Sequence, residues 1–326
     1  MMNILMIYPE FPDTFWSFKH ALRFVRKKAS SPPLGLITVA SMLPAEWKKR
    51  LVDVNIKPLQ RSDLEWADLV FISAMVVQKQ SAVEILQKCK DAGKTVVAGG
   101  PLFTSAYTDY LDIVDHFVLN EAEITLPQFL ADLELHKPQK VYSTEGYCDL
   151  SITPVPSWDL VDLKNYDSLS IQFSRGCPFN CDFCNITSLL GRIPRVKTAD
   201  QIIEELDLMY SLGWRRNIFF VDDNFIGNKK ILKNEILPAL IKWHEGKSGC
   251  QIITEASVNL ADDDELMELM TRAGFKSVFV GIETPDEAGL EDCKKYQNKN
   301  RDLISSVKKM QQSGLQVMGE IGRAHV

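Results

Sequence analysis

Three cysteines constrain this chain more than any other feature: Cys177, Cys181 and Cys184 in the run Ser-Arg-Gly-Cys-Pro-Phe-Asn-Cys-Asp-Phe-Cys. A loop with this C-x3-C-x2-C spacing can aim three thiolates at one iron–sulfur cube and leave the fourth iron free for a small molecule. A structural zinc site is the competing reading, but it needs four ligands, usually from two separated pairs, and no second pair follows. Seven cysteines in 326 residues, with no secretory signal pattern at the start, also argue against a disulfide framework.

What precedes the loop fixes its place in a fold. Ser168–Phe173 alternates polar and apolar residues as a strand does, then meets Arg175-Gly176, so the cysteines follow a strand's C-terminal end. Barrel enzymes keep their active sites there. Further βα units are predicted downstream: helix 199–212, strand 217–221 ending in Asp222-Asp223, helix 231–243, strand 251–256, helix 265–273, strand 277–280 ending at Glu283, and helix 302–313. This alternation suits a partial TIM-like (β/α) barrel.

The first 141 residues predict a separate doubly wound, Rossmann-like α/β domain, with strands at 3–8, 50–54, 69–73, 95–98 and 116–119. Helical spacing covers 34–43, 77–92 and 124–135. Ligands of such sheets bind in the loops beyond the strand ends. Those loops hold Pro33 and Gly35 in Pro-Pro-Leu-Gly, Ser73, Gly99-Gly100, and Asn120-Glu121 in Asn-Glu-Ala-Glu. Residues 142–166, with Pro154 and Pro156, read as an extended linker to a core at 167–319.

The cysteine loop resembles that of the radical S-adenosylmethionine (radical SAM) superfamily, and the ordered N-terminal segments resemble the cobalamin-binding domain found ahead of many such barrels. The resemblance implies a [4Fe–4S] cluster on Cys177, Cys181 and Cys184, SAM on its open iron, Phe183 near the adenine, and Asp222, Asp223 and Glu283 as SAM contacts. Capping of the following helices is the alternative use for those acids. Pro33, Gly35, Ser73, Gly99, Gly100, Asn120 and Glu121 become cobalamin contacts. Asn55 stands in Asp53-Val-Asn-Ile-Lys-Pro58 where some cobalamin proteins carry a lower-ligand histidine, so cobalamin is expected without axial imidazole. A domain binding no cofactor, or another nucleotide, is the alternative.

The activity implied is methyl transfer to an unactivated carbon through a 5′-deoxyadenosyl radical, with cyclisation or rearrangement, or a non-catalytic cobalamin-binding fragment, as alternatives. The substrate would be a small molecule, a lipid or tetrapyrrole among the options. The electron donor would be a low-potential protein such as flavodoxin or ferredoxin. A net charge of −6 with interspersed signs argues against a general nucleic-acid binder, and no apolar run approaches the ~20 residues of a membrane span. A cytoplasmic setting is expected.

Two segments stand apart. Phe15-Trp16-Ser-Phe18, followed by Lys19, Arg23, Arg26, Lys27 and Lys28, reads as a basic lip over a ligand or as a solvated helix face. The end, Glu320–Val326, is one translation of GAG ATC GGA AGA GCA CAC GTC, which resembles a short-read sequencing adapter. Residues 320–326 are therefore expected to be non-native, the barrel incomplete, the chain inactive and poorly soluble, and His325 without function.

Overall fold

A computed structural model describes residues 2–14 and 17–322. Phe15, Trp16 and His325 lie outside the described residues. Contacts divide the chain into two units: residues up to Cys148 with Ile152–Asp167, and Asp149–Ser151 with the chain from Ser168 onward.

In the first unit, β1 (Asn3–Tyr8) dictates the layering. Leu5 and Ile7 enter one core while Ile4 and Met6 enter another. A strand buried on both faces belongs inside a parallel sheet covered by helices on each side. The partners are β2 (Lys48–Asp53), β3 (Leu69–Ser73), β4 (Thr95–Gly99), β5 (His116–Val118) and β6 (Val141–Tyr142). They lie in the order β2-β1-β3-β4-β5-β6, all parallel.

Among the described residues six helices accompany the sheet. After α1 (Lys19–Phe24), which buries only Leu22, come α2 (Leu34–Met42), α3 (Arg61–Trp66), α4 (Lys79–Asp91), α5 (Pro101–Ala106) and α6 (Ala122–Glu134). Side chains of α3, α4 and α5 join the Leu5 core; those of α2 and α6 join the Ile4 core. Cys89 on α4 is one of the packed side chains, its thiol pushed up to about 12 by burial. The chain reverses its winding at β1, so the loops after β1 and β3 part at the sheet's C-terminal edge, where such folds open a ligand crevice.

Residues 142–166, read from the sequence as a linker, start on the last residue of β6 and carry three short 3-10 turns. Trp158 is fully buried, Ser157 N donates to Ile37 O at 3.0 Å, and the Tyr166 hydroxyl donates to Asp53 Oδ2 at 2.8 Å. Apart from Asp149–Ser151, this stretch belongs to the first unit, where Trp158 and Tyr166 fasten it.

The second unit begins with β7 (Ser168–Ile171), then an antiparallel pair of β8 (Ser174–Arg175) and β9 (Arg195–Val196) around α7 (Ile186–Leu190). β10 (Asn217–Phe220), β11 (Gln251–Glu255), β12 (Phe275–Glu283) and β13 (Gln316–Ile321) join β7 in a parallel sheet whose spatial order is the chain order. That progression is the path of a (β/α) barrel. Between the strands run α8 (Ala199–Ser211), α9 (Lys229–Ile231), α10 (Leu237–Glu245), α11 (Asp264–Arg272), α12 (Glu287–Asp292) and α13 (Leu303–Gln312). Side-chain caps set several starts: Thr198 with Gln201 in a capping box, Asp263, Asp286 and Asp302. Among the described residues no helix is long and apolar enough to cross a membrane.

Candidate active site

The cysteines leave the sheet through a hairpin. Ser174 pairs with Val196 and Arg175 with Arg195, which closes the excursion at its base. Gly176 opens it at φ +100°; a Cβ there would stand 3.0 Å from the carbonyl oxygens of Gly191 and Ile193 and 3.1 Å from that of Leu190. Only glycine accepts both the backbone angle and that approach. Cys177 N donates to Gly191 O at 3.2 Å, and Cys184 N to Cys181 O at 3.1 Å. A second segment braces the loop: Asp182 N donates to Cys293 O at 3.0 Å, Lys294 pairs with Asp182 at 2.7 Å, and Gln297 Nε2 donates to Cys181 Sγ at 3.6 Å.

Asp222 and Asp223 follow β10 as neighbours with different tasks. Asp222 is fully buried and accepts from Phe173 N at 3.2 Å, from Ser174 Oγ at 2.6 Å and from Ser174 N. It ties β10 to the root of the cysteine hairpin. Expected as a ligand contact, it has both oxygens engaged by the scaffold and is not part of the cavity wall. Burial pushes its carboxyl up to about 7 although the donors pull the other way. Asp223 does line the cavity, and its Oδ2 is buried without a partner. Burial lifts it to about 6, opposed by the Gly176 N–H and the Arg175 cation.

One cavity gathers Cys177, Cys181, Cys184 and Phe183 with an acid at each of four successive strand ends: Asp223, Glu255, Glu283 and Glu320. The structure thus brings together every expected residue of this site except Asp222. It also adds Glu255, Lys295, Gln297 and Glu320. β13 carries Glu320 and Ile321 in register with Gly281 and Glu283, so the strand extends past Gly319. Glu283 has φ 63°, a left-handed conformation rare for this residue type and typical of strained functional positions. Its Oε1 accepts from Lys295 Nζ at 2.6 Å, and the same ammonium lies 5.5 Å from the Phe183 ring centroid.

This donor set fits the expected groups. Burial pushes the Cys177 thiol up to about 11 and raises Cys181 too, so the protein alone does not hold thiolates there; metal must displace the protons. Among the described residues no group of three or more His, Cys, Asp or Glu side chains converges on a point suited to one metal ion. An iron–sulfur cube takes its cysteines on separate irons and asks for no such convergence. Glu283 Oε2, Asp223 Oδ2 and Gln297 Oε1 are buried acceptors without partners beside the cysteines. They suit a ligand rich in donors, such as an ammonium and ribose hydroxyls.

In the first unit the expected residues occupy the C-terminal strand ends and the loops after them. Pro33 caps α2, and at Gly35 a Cβ would meet nothing within 4 Å, which leaves open space beside that turn. Gly100, at φ +87°, passes so close to the end of β3 that a Cβ would lie 2.5 Å from Ser73 Oγ; one on Gly99 would lie 2.7 Å from Val118 O. Asn120, at φ 61°, accepts through Oδ1 from Thr144 N at 3.3 Å. Glu121 is buried, its Oε2 accepting from Cys148 N at 2.7 Å, which is a scaffold role.

Asn55 has its amide fully used. Oδ1 accepts from Phe11 N at 2.9 Å, and Nδ2 donates to Pro9 O at 3.1 Å and Asp53 Oδ1 at 2.7 Å. Gln78, absent from the sequence reading, is fully buried and donates to the same Pro9 carbonyl at 2.6 Å. Next to it Met75, Val76 and Val77 expose apolar side chains beyond β3. Open space at Gly35 and this uncovered apolar loop fit a large, partly apolar cofactor, with no side-chain ligand offered from position 55.

A family model of the radical SAM superfamily matches residues 171–322, and one of the B12 binding domain matches residues 25–130. The chain carries a radical SAM domain and a B12-binding domain. It resembles, at 47% identity over 97% of its length, an uncharacterized methyltransferase of Synechocystis sp., covering 59% of that protein. It is 38% identical over 98% of its length to the hopanoid C-2 methylase of Rhodopseudomonas palustris, covering 61% of it. The chain thus spans about three fifths of the length of these curated relatives.

Solved structures agree on the fold. OxsB, a cobalamin-dependent S-adenosylmethionine radical enzyme with aqua-cobalamin bound, superposes with a TM-score of 0.77 at 16% identity, over 98% of this chain and 49% of OxsB. TsrM from Kitasatospora setae, a radical S-adenosylmethionine methyltransferase with cobalamin and a [4Fe-4S] cluster bound, gives 0.74 at 14% identity, over 98% of this chain and 69% of TsrM.

Proposed function

We propose that this chain is a cobalamin-dependent radical SAM C-methyltransferase acting on an unactivated carbon of a small molecule. The observation that carries the reading is the single cavity holding Cys177, Cys181 and Cys184 beside unpartnered acceptors of Asp223, Glu283 and Gln297. The names of the two relatives, a methyltransferase and a methylase, support methyl transfer. Residues 1–141 would form the cobalamin domain and 167–319 the radical SAM core.

The three thiolates would hold a [4Fe–4S] cluster, and Pro33, Gly35, Ser73, Gly99, Gly100 and Asn120 would line the cobalamin site with Glu121 behind them. When bound, these groups supply one-electron cleavage of SAM and a cobalt-borne methyl group. The chain's own residues position and shield. Glu283 and Asp223 accept from the ammonium and ribose hydroxyls of SAM. Phe183 offers its face to the adenine, and Lys295 holds Glu283 in place. Gln297 directs an N–H at Cys181 Sγ, a hydrogen bond of the kind that adjusts cluster potential.

A low-potential donor such as flavodoxin or ferredoxin, a lipid or tetrapyrrole substrate, and a cytoplasmic setting complete the proposal. The test is anaerobic incubation of the reconstituted protein with cobalamin and SAM carrying a labelled methyl group, plus a hopanoid acceptor. Deoxyadenosine together with labelled product supports the reading. Deoxyadenosine with an altered but unlabelled product moves it to cyclisation or rearrangement, and no deoxyadenosine either from this chain or from the full-length Synechocystis relative assayed beside it overturns it.

A further inference from the structure

The segment of the first unit between the loop after β1 and helix α2 is absorbed by none of the chemistry above. From Thr14 to Ala45 the sequence has no acidic residue, yet Lys19, Arg23, Arg26, Lys27 and Lys28 fall within ten positions. The chain as a whole is negative, with a net charge of −6; just before this segment Glu10 and Asp13 face Lys19 at 3.5 and 3.9 Å, and the local reversal of sign rests on Arg23 and Arg26. Apolar residues interleave with these cations: Phe18, Leu22, Phe24 and Val25, and in sequence Phe15 and Trp16.

The structure sorts these residues into a base and a tip. Leu22 is buried, Lys27 Nζ donates to Lys164 O at 2.9 Å, and Lys28 Nζ to Ile56 O at 3.4 Å. Backbone bonds from Lys28 N and Ala29 N to Asn165 O fasten the same turn. Beyond this footing, Arg23, Phe24, Val25 and Arg26 are all exposed, Phe24 at 90% and Val25 at 48%, with Phe18 at 44% at the start of α1. Single exposed apolar residues are ordinary. Three around one short helix, flanked by arginines and held on a fixed base, form a surface with both apolar and cationic character.

We propose that this tip docks on an anionic lipid surface, with Phe24, Val25 and Phe18 entering the headgroup–acyl boundary and Arg23 and Arg26 on lipid phosphates. Charge complementarity selects the partner's sign. Phe24 beside the aliphatic Val25, between two arginines, suits the headgroup–acyl boundary of a lipid surface, whereas base stacking uses aromatic faces alone and gains nothing from Val25. The inference does not depend on the methyl-transfer reading: it holds for any substrate this protein takes.

Sedimentation of the full chain with vesicles tests it. Phosphatidylcholine mixed with phosphatidylglycerol should bring the protein down at low salt, phosphatidylcholine alone much less. The variant Arg23→Gln/Arg26→Asn, with asparagine chosen because position 26 is left-handed at φ 56°, should lose about thirtyfold in partitioning, since each basic side chain near an anionic surface is worth about fivefold. Phe24→Ser/Val25→Ser should lose about tenfold or more. Far-UV circular dichroism checks that both variants keep the wild-type fold. No binding by the wild type to the mixed vesicles overturns the proposal. So does binding that drops with the arginine changes but not with Phe24→Ser/Val25→Ser, which would mark a purely electrostatic partner instead.

Discussion

Replacing Asp222 by alanine should unseat the cysteine loop without touching a cysteine. The carboxylate accepts from Phe173 N, Ser174 N and Ser174 Oγ, all at a buried position. Asp222→Ala leaves those three donors without acceptors, at about 1–3 kcal/mol each, so about 3–6 kcal/mol in total once partial hydration of the vacated space is allowed for. Hydrogen–deuterium exchange of the peptide covering residues 168–178 should speed up by two or more orders of magnitude, and iron bound after reconstitution should fall. Asp222→Asn adds a pH test. The folded carboxyl sits at about 7 against 3.8 unperturbed, so the folded chain binds more protons between those values. Its contribution to stability is complete below 3.8 and is lost as pH rises through about 7. That contribution should be missing in Asp222→Asn, which keeps the shallower slope owed to Asp223, raised to about 6. Protection within 1 kcal/mol of wild type in the alanine variant would refute the assignment of Asp222 as the tie.

Other consequences are narrower. In Gly281→Ala the new methyl would meet Lys295 Nζ at 2.5 Å and Glu283 Oε1 at 2.7 Å, so the pair must move; SAM affinity by calorimetry should weaken about tenfold or more, and unchanged affinity would separate that pair from SAM binding. In Asn55→Ala the loop after β1 loses the side-chain bonds that Asn55 makes to Phe11 N and Pro9 O, so cobalamin should bind more weakly with its absorption maxima unmoved; a shifted spectrum would mean that position 55 does reach cobalt.

The sequence showed what repeats or crowds locally. Apolar runs such as Asn3–Tyr8 announced strands buried on both faces, and the cysteine spacing announced a loop site. Two-residue strands such as β6, β8 and β9 carry no periodicity, so neither the edge strand at Val141–Tyr142 nor the hairpin around the cysteines was visible. Asp222 and Asp223 were indistinguishable as letters. Successive residues at a strand's end point to opposite sides, which sends one carboxylate into the scaffold and the other into the cavity. Lys295 and Gln297 reach the site from a loop after α12 and belong to no local pattern. Glu255 could have been found: it ends a predicted strand just as Asp223 and Glu283 do.

The central claim is that Cys177, Cys181 and Cys184 together hold a four-iron cluster with one iron open to SAM. Anaerobic reconstitution, iron and sulfide analysis, and electron paramagnetic resonance of the reduced protein with and without SAM address it directly. The account predicts about four irons and about four sulfides per chain, a reduced-cluster signal that changes when SAM is added, and loss of both in the triple alanine variant. Equal iron and sulfide in that variant, or a signal indifferent to SAM, would contradict it.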